Sequence, residues 1–225
     1  MRYTFATRML AMLAAAVQCA CAATGDDAGR GLAAATGERA QTLVYECPDG
    51  AELVVRVQGE RAWVLAPAGT VELAQVRAAS GAKYESADAL YWSKGEEALL
   101  TVRGETHRDC RNNRRRAVWE DARLRGVDFR AVGNEPGWLV EVSGGGNIRY
   151  VGDYGETTLE LEARAPMENK GGRRMRYTAD DGSHRMMVLI EGERCTDTMS
   201  GEVFPDRVTV ILDGRTLRGC GRALD

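Results

Sequence analysis

The sequence predicts an all-β protein: two small antiparallel β-barrel or sandwich domains joined by a short helical linker. Three observations carry this. Short apolar runs alternate with Gly-, Pro- and Asp-containing turns along most of the chain, the spacing of strands in a meander. Glycine is abundant at 26 residues and proline scarce at 5, which suits tight turns between strands more than long helices. Beyond the N-terminal region four cysteines remain, and they fall two in each half: Cys47 and Cys110, then Cys195 and Cys220.

Residues 1–22 stand apart. Arg2 and Arg8 precede an apolar run, Met9 to Val17, too short to span a bilayer, and the small residues Ala20, Cys21 and Ala22 follow. These are the parts of a secretory signal peptide. Removing them takes away two cations and no anion, so the net charge moves from −3 to −5. Cys19 and Cys21 raise the alternative of lipid attachment. A bacterial lipobox wants a small residue just before the cysteine and an aliphatic one three before, and Gln18 occupies the first position for Cys19 and the second for Cys21. The expectation is a soluble periplasmic protein, with a lipid anchor as the lesser alternative. Residues 23–40, rich in Gly, Ala and Asp without apolar periodicity, read as a flexible tether.

An even number of cysteines in a secreted chain implies disulfides. Four cysteines allow three pairings, and only Cys47–Cys110 with Cys195–Cys220 keeps each bridge inside one half of the chain. A zinc site is the competing reading, but C-x-x-C pairs are missing and the only histidines are His107 and His184. No cofactor is expected.

The first domain is placed at 41–112. Leu43 to Glu46 runs into Cys47-Pro48-Asp49-Gly50, a strong turn signal. Leu53 to Val57 and Arg61 to Leu65 flank Gln58-Gly59-Glu60 as a hairpin, Val71 to Val76 follows, and Ala98 to Val102 is the last strand before Gly104. Between them, Ser80 to Leu100 reads as two exposed turns, Ser80-Gly81 and Ser93-Lys94-Gly95. The stretch 113–126 carries Arg114-Arg115-Arg116 and predicts a solvated linker helix from near Asn113 to a stop at Gly126. An extracytoplasmic address and a net negative chain argue against nucleic acid as its partner. The second domain, 127–225, shows strands at Leu139 to Val142, Asn147 to Val151, Thr157 to Ala163, Met175 to Thr178, Met186 to Ile190 and Arg207 to Leu212, with Asp213-Gly214 turning into Arg215 to Cys220.

The two turns carry more than their composition. Ser80-Gly81-Ala82-Lys83-Tyr84 and Tyr91-Trp92-Ser93-Lys94-Gly95, with Tyr45 to Gly50 opening the segment and Cys110 closing it, resemble the two motifs of the bacterial inhibitors of C-type lysozyme. The resemblance covers roughly residues 41–112 and implies a small antiparallel β-barrel whose partner is a C-type lysozyme. It implies Ser80 and Lys94 as the pair inserted into the enzyme cleft, Gly81 and Gly95 letting the backbone come close, and Tyr84 and Tyr91 in the motif framework. Trp92 is expected in the core under the turn. Acidic residues outnumber basic ones ten to six between Gln41 and Thr106, which suits a strongly basic partner such as C-type lysozyme. In the second half, Phe129 to Trp138, Cys195 to Pro205 and Gly214 to Gly221 resemble an uncharacterised family of small bacterial envelope domains, which implies a fold and no chemistry.

An enzyme is not expected. The chain has no nucleophile elbow with Ser, Asp and His in order, no Walker loop and no metal-ligand cluster. Glu96 and Glu97 are strand neighbours and point to opposite faces, Gly144 to Gly146 reads as a hairpin turn, and His184 as a surface residue. The alternative function is a non-enzymatic envelope module, structural or ligand-binding, with the second domain as its working part.

Overall fold

Eight strands follow one another and close on themselves. In the computed structural model, which describes residues 39–66, 69–169, 171 and 173–224, these are β1 (Gln41–Glu46), β2 (Glu52–Gln58), β3 (Arg61–Ala66), β4 (Gly69–Val76), β5 (Ala82–Glu85), β6 (Ala89–Lys94), β7 (Glu97–Val102) and β8 (Glu105–Asn112). Each pairs antiparallel with the next, and β1 meets β8 through Tyr45↔Asn112 and Glu46↔Arg111. The expected signal peptide 1–22, its Cys19 and Cys21, and nearly all of the tether lie outside the described residues.

Alternation fills the barrel. Tyr45, Leu53, Val55, Ala62, Val64, Leu73, Tyr84, Tyr91, Leu100 and Cys110 point inward and form one apolar cluster. The expected turns are present: Gly50 adopts φ +86 and donates its N–H to the Cys47 carbonyl at 2.9 Å, and Gly59 adopts φ +56 between β2 and β3. Three strands go beyond the sequence expectation. β5 and β6 run within the stretch read as two turns, and β8 follows the segment read as the last strand.

Helix α1 (Arg114–Leu124) begins at Asn113, whose side chain accepts from the Arg116 N–H at 3.1 Å, and ends at Arg125 before Gly126 at φ +79. It is not the solvated linker expected. Ala117, Trp119 and Ala122 are buried, and β1 is buried on its outer face as well, at Thr42 and Val44, where the helix lies against it. Thr42 Oγ1 donates to Asp121 Oδ1 at 2.9 Å, and Arg116 Nη2 donates to Glu52 Oε1 at 2.5 Å. The basic run read as a solvated face instead sends Arg114 and Arg116 to barrel carboxylates.

The second half contributes β9 (Val127–Asn134), β10 (Gly137–Ser143), β11 (Asn147–Gly152), β12 (Thr157–Glu162), β13 (Met167–Glu168), β14 (Arg174–Asp180), β15 (Arg185–Glu191), β16 (Cys195–Thr196), β17 (Val203–Phe204), β18 (Asp206–Leu212) and β19 (Arg215–Ala223). The large sheet runs β12-β11-β10-β9-β19-β18-β15-β14-β13. It curls round, because the segment from 157 to 168 pairs first with β11 and then with β14, through an Ala163↔Ala179 bridge and Met167↔Arg176. Its concave side holds Phe129, Trp138, Val140, Ile148, Tyr150, Met186, Val188, Val208 and Leu217. Gly144, Gly145 and Gly146 form the β10–β11 turn, as expected.

Each bridge stays within one half of the chain, as expected. Cys47–Cys110 spans 63 residues with its Cα atoms 4.0 Å apart, and Cys195–Cys220 spans 25 with 5.5 Å. The second fastens the β16–β17 ribbon to β19, beside a small apolar cluster of Trp119 and Phe204. Across the junction, Glu141 on β10 is 2% exposed and is held by Arg125, Arg130 and Arg149. The barrel, α1 and the curled sheet thus belong to one unit, Glu38–Asp225.

Candidate functional site

The two predicted turns meet at one end of the barrel. β5 and β6 pair with Ala82 opposite Ser93, so Gly81 stands beside Lys94 where the strands begin and end. Gly81 adopts φ +72, and a Cβ there would lie 2.1 Å from the Ser93 carbonyl oxygen and 3.4 Å from Lys94 Cα. Only hydrogen fits between the turns. Gly95 adopts φ +62 with open space around it, so its conformation, not crowding, asks for glycine. Ser80 and Lys94 are both exposed, and Lys94 forms no ion pair among the described residues.

Beneath the turns lies an aromatic pedestal. Tyr84 and Tyr91, placed with the site by the resemblance, are interior at 4% and 1% exposed, and their rings stack with centroids 5.8 Å apart. They support the turns and offer no surface to a partner. Tyr91 and Tyr45 share a hydrogen bond of 2.9 Å between hydroxyls. Burial pushes both phenols above their ordinary pKa, so they stay neutral and the pedestal carries no charge.

Trp92 corrects the expectation. It is 40% exposed on the outer face of β6, because Ala89 and Tyr91 on the same strand point inward and strand parity sends Trp92 out. Its Nε1 donates to the Ser80 carbonyl at 2.9 Å, tying the β6 face to the serine turn. Trp92→Ala is therefore expected to leave a cooperatively folded protein. The lost hydrogen bond and half-exposed ring cost about 1–2 kcal/mol. Thermal unfolding followed by circular dichroism checks this, and loss of the cooperative transition would count against it.

The lysine turn is held from the other side. Glu96 accepts from Arg114 Nε at 3.0 Å, from Arg114 Nη2 and from Asn112 Nδ2 at 3.1 Å, while its carbonyl accepts from the Asn112 N–H at 2.8 Å. Arg114 first, then Asn112, hold the Glu96 carboxyl below its usual range. Glu97 is paired with Arg111 at 2.8 Å. These carboxylates are thus structural partners of arginines, and Glu96 lies in the turn before β7 instead of beside Glu97 in a strand as expected. The residues that bind them follow the last expected strand, and β8 shows only Cys110 buried, so no apolar rhythm announced it.

Elsewhere, Cys47, Asp49 and His107 gather within metal-ligand distance. The Cys47 sulfur belongs to the disulfide, and Asp49 Oδ2 and His107 Nδ1 hydrogen-bond at 2.7 Å, which leaves two ligand atoms where a structural zinc site uses four. His184 is on the surface, bonded to Asp213 at 2.8 Å.

Comparison with known proteins bears on this end of the barrel. No curated protein matches the chain. Among solved structures it is similar to Pseudomonas aeruginosa MliC, seen in a crystal structure in complex with hen egg white lysozyme, at 25% identity over 33% of this chain and 83% of that one, with a TM-score of 0.28. Residues 45–109, which run from the inward Tyr45 of β1 through both turns into β8, match the family model of the membrane-bound lysozyme-inhibitor of c-type lysozyme. Through its first barrel, then, this chain is similar to the lysozyme inhibitors of that family.

Proposed function

We propose that the first barrel inhibits C-type lysozyme by inserting the Ser80 and Lys94 turns into the enzyme's active-site cleft, and that it does so in the periplasm after export by the segment 1–22. The observation that carries this is the pair of exposed turns, packed against each other at Gly81, within the segment that matches the inhibitor family. Lysozyme works with two carboxyl groups about 5–5.5 Å apart, one a general acid and one a nucleophile. An inhibitor has to satisfy both without offering a bond to cleave. An ammonium answers the ionised carboxylate, and a hydroxyl donates to or accepts from its neighbour. Lys94 is exposed and forms no ion pair among the described residues, and Ser80 belongs to the turn beside it.

The test is cell-wall lysis by a C-type lysozyme with increasing purified mature protein. Lysis should be suppressed near stoichiometry, and undiminished lysis at large molar excess would overturn the reading. Lys94→Ala should weaken inhibition by about 2–5 kcal/mol, because the opposing carboxylate is left desolvated and unpaired. Ser80→Ala removes a neutral hydrogen bond worth about 0.5–1.5 kcal/mol. Lys94→Arg should not restore inhibition, since a planar fork replaces a compact ammonium. A folded Lys94→Ala protein that inhibits like the parent would show that these are ordinary turns.

A further inference from the structure

The barrel has two lysines, and their surroundings differ. Lys83 is paired with Glu85 on its own strand. Lys94 has two acids closer to hand: Glu97 faces it directly across the β6–β7 ladder, and Glu96 lies in the turn between them. A directly opposed acid and base on an antiparallel pair attract each other, so an ion pair to Lys94 is the arrangement the hairpin alone favours. It does not form. Glu97 is taken by Arg111 at 2.8 Å, and Glu96 by both nitrogens of the Arg114 fork, with Asn112 on its second oxygen.

Arg111 is on β8 and Arg114 opens α1, so both lie beyond residue 109, where the match to the inhibitor family ends. We propose that Arg111 and Arg114 are positioning residues that sequester Glu97 and Glu96 and thereby keep the Lys94 ammonium free for a carboxylate of the partner. The inference rests on the reading of Lys94 as an inserted group, and it makes the start of α1 part of the inhibitory end of the barrel. At its far end α1 is held to the second half of the chain, by Arg125 to Glu141 of β10.

Two effects of removing the arginines have opposite signs, which makes the test sharp. Losing two cations makes the chain more acidic and would speed its approach to a basic enzyme. Releasing two acids beside Lys94 would instead set them competing for its ammonium. Each exposed pair is worth about a factor of two to five. The Arg111→Ala/Arg114→Ala double variant should therefore bind hen egg white lysozyme about five- to tenfold more weakly, as measured by surface plasmon resonance. Adding Glu96→Gln and Glu97→Gln to that variant should restore most of the loss, which a merely structural role of the arginines would not allow. A parent that binds, with a double variant that binds equally well or more tightly, overturns the proposal and leaves the Lys94 reading intact. So does a loss that the two Gln substitutions fail to repair. If the parent itself does not bind lysozyme, the reading of the site falls, and sequestration is judged without the enzyme. NMR of the Lys94 ammonium should then report a new carboxylate partner in the double variant, and an unchanged ammonium would overturn the proposal.

Discussion

Glu141→Ala is expected to lower the stability of the folded chain by about 3–5 kcal/mol, the cost of leaving a buried charge without its partner. Glu141 is 2% exposed in the middle of β10. Arg125 grips both of its oxygens, at 2.8 and 3.1 Å, Arg130 bonds the first, and Arg149 approaches the second at 3.5 Å. Burial pushes the carboxyl up, but Arg125, Arg130 and Arg149 outweigh it and hold the group below its ordinary range. Arg130 is itself 9% exposed, with an Nε that has no partner in the structure, so without Glu141 a buried guanidinium would be left uncompensated. In a chain of this size the melting temperature should fall by about 6–20 °C. The pH dependence has a definite sign. A depressed carboxylate pKa contributes stability that is present above the ordinary value of about 4.3, and that is lost as pH falls through the folded-state value. Glu141→Ala should thus remove part of the parent's acid sensitivity as well as its stability. Melting curves at neutral and acid pH decide this, and a loss below about 1 kcal/mol would show that the arginines find other partners.

The second large effect is expected at the barrel seam. β1 and β8 are joined by only two residue pairs, and the Cys47–Cys110 bridge lies next to them. Closing a loop of 63 residues is worth about 4 kcal/mol in the chain-entropy account. Cys110 is also fully buried, so replacing it costs packing too. The Cys47→Ala/Cys110→Ala variant should therefore melt far below the parent, and the damage should not stop at stability. Arg111 and Asn112, which hold Glu97 and Glu96, follow directly on the lost bridge. Inhibition of lysozyme should fall together with stability. The Cys195→Ala/Cys220→Ala variant should lose a comparable amount of stability, since its loop of 25 is worth about 3.5 kcal/mol, while inhibition at temperatures where it is folded stays near parental. Equal inhibition by both variants when folded would separate the seam from the site.

The β character of the chain was legible because turn chemistry is local: Cys47 to Gly50, Gln58 to Glu60 and Asp213-Gly214 bend as their residue types require. Strand β8 was not, because its only buried side chain is Cys110 and its extended form comes from its partners. Trp92 shows a different limit. Adjacent aromatics cannot both face inward, and the small Ala89 in phase with Tyr91 held the parity that sets Trp92 outside. Ser80 and Lys94 are proposed on the strength of a resemblance, since a Ser-Gly turn and a Lys-Gly turn are common. The bonds from Arg114 and Asn112 to Glu96 were not legible at all. They depend on where α1 starts in space, and sequence spacing carries no trace of a contact 18 residues apart between a turn and a helix.

The hydrogen of Gly81 against the Ser93 carbonyl also fixes a length. Neighbouring strands in a sheet are separated by about 4.7–4.9 Å whatever their sequence. The backbones of the two turns are held at that spacing where β5 and β6 meet, at Ala82 and Ser93. A gauge of this kind needs no side chain to set it, only two strands with nothing wedged between them. It follows that a transplant of the two turns onto another scaffold would have to carry the paired ends of β5 and β6 as one piece, with hydrogen alone at position 81. Two separately grafted loops would bring the same chemical groups without the distance between them.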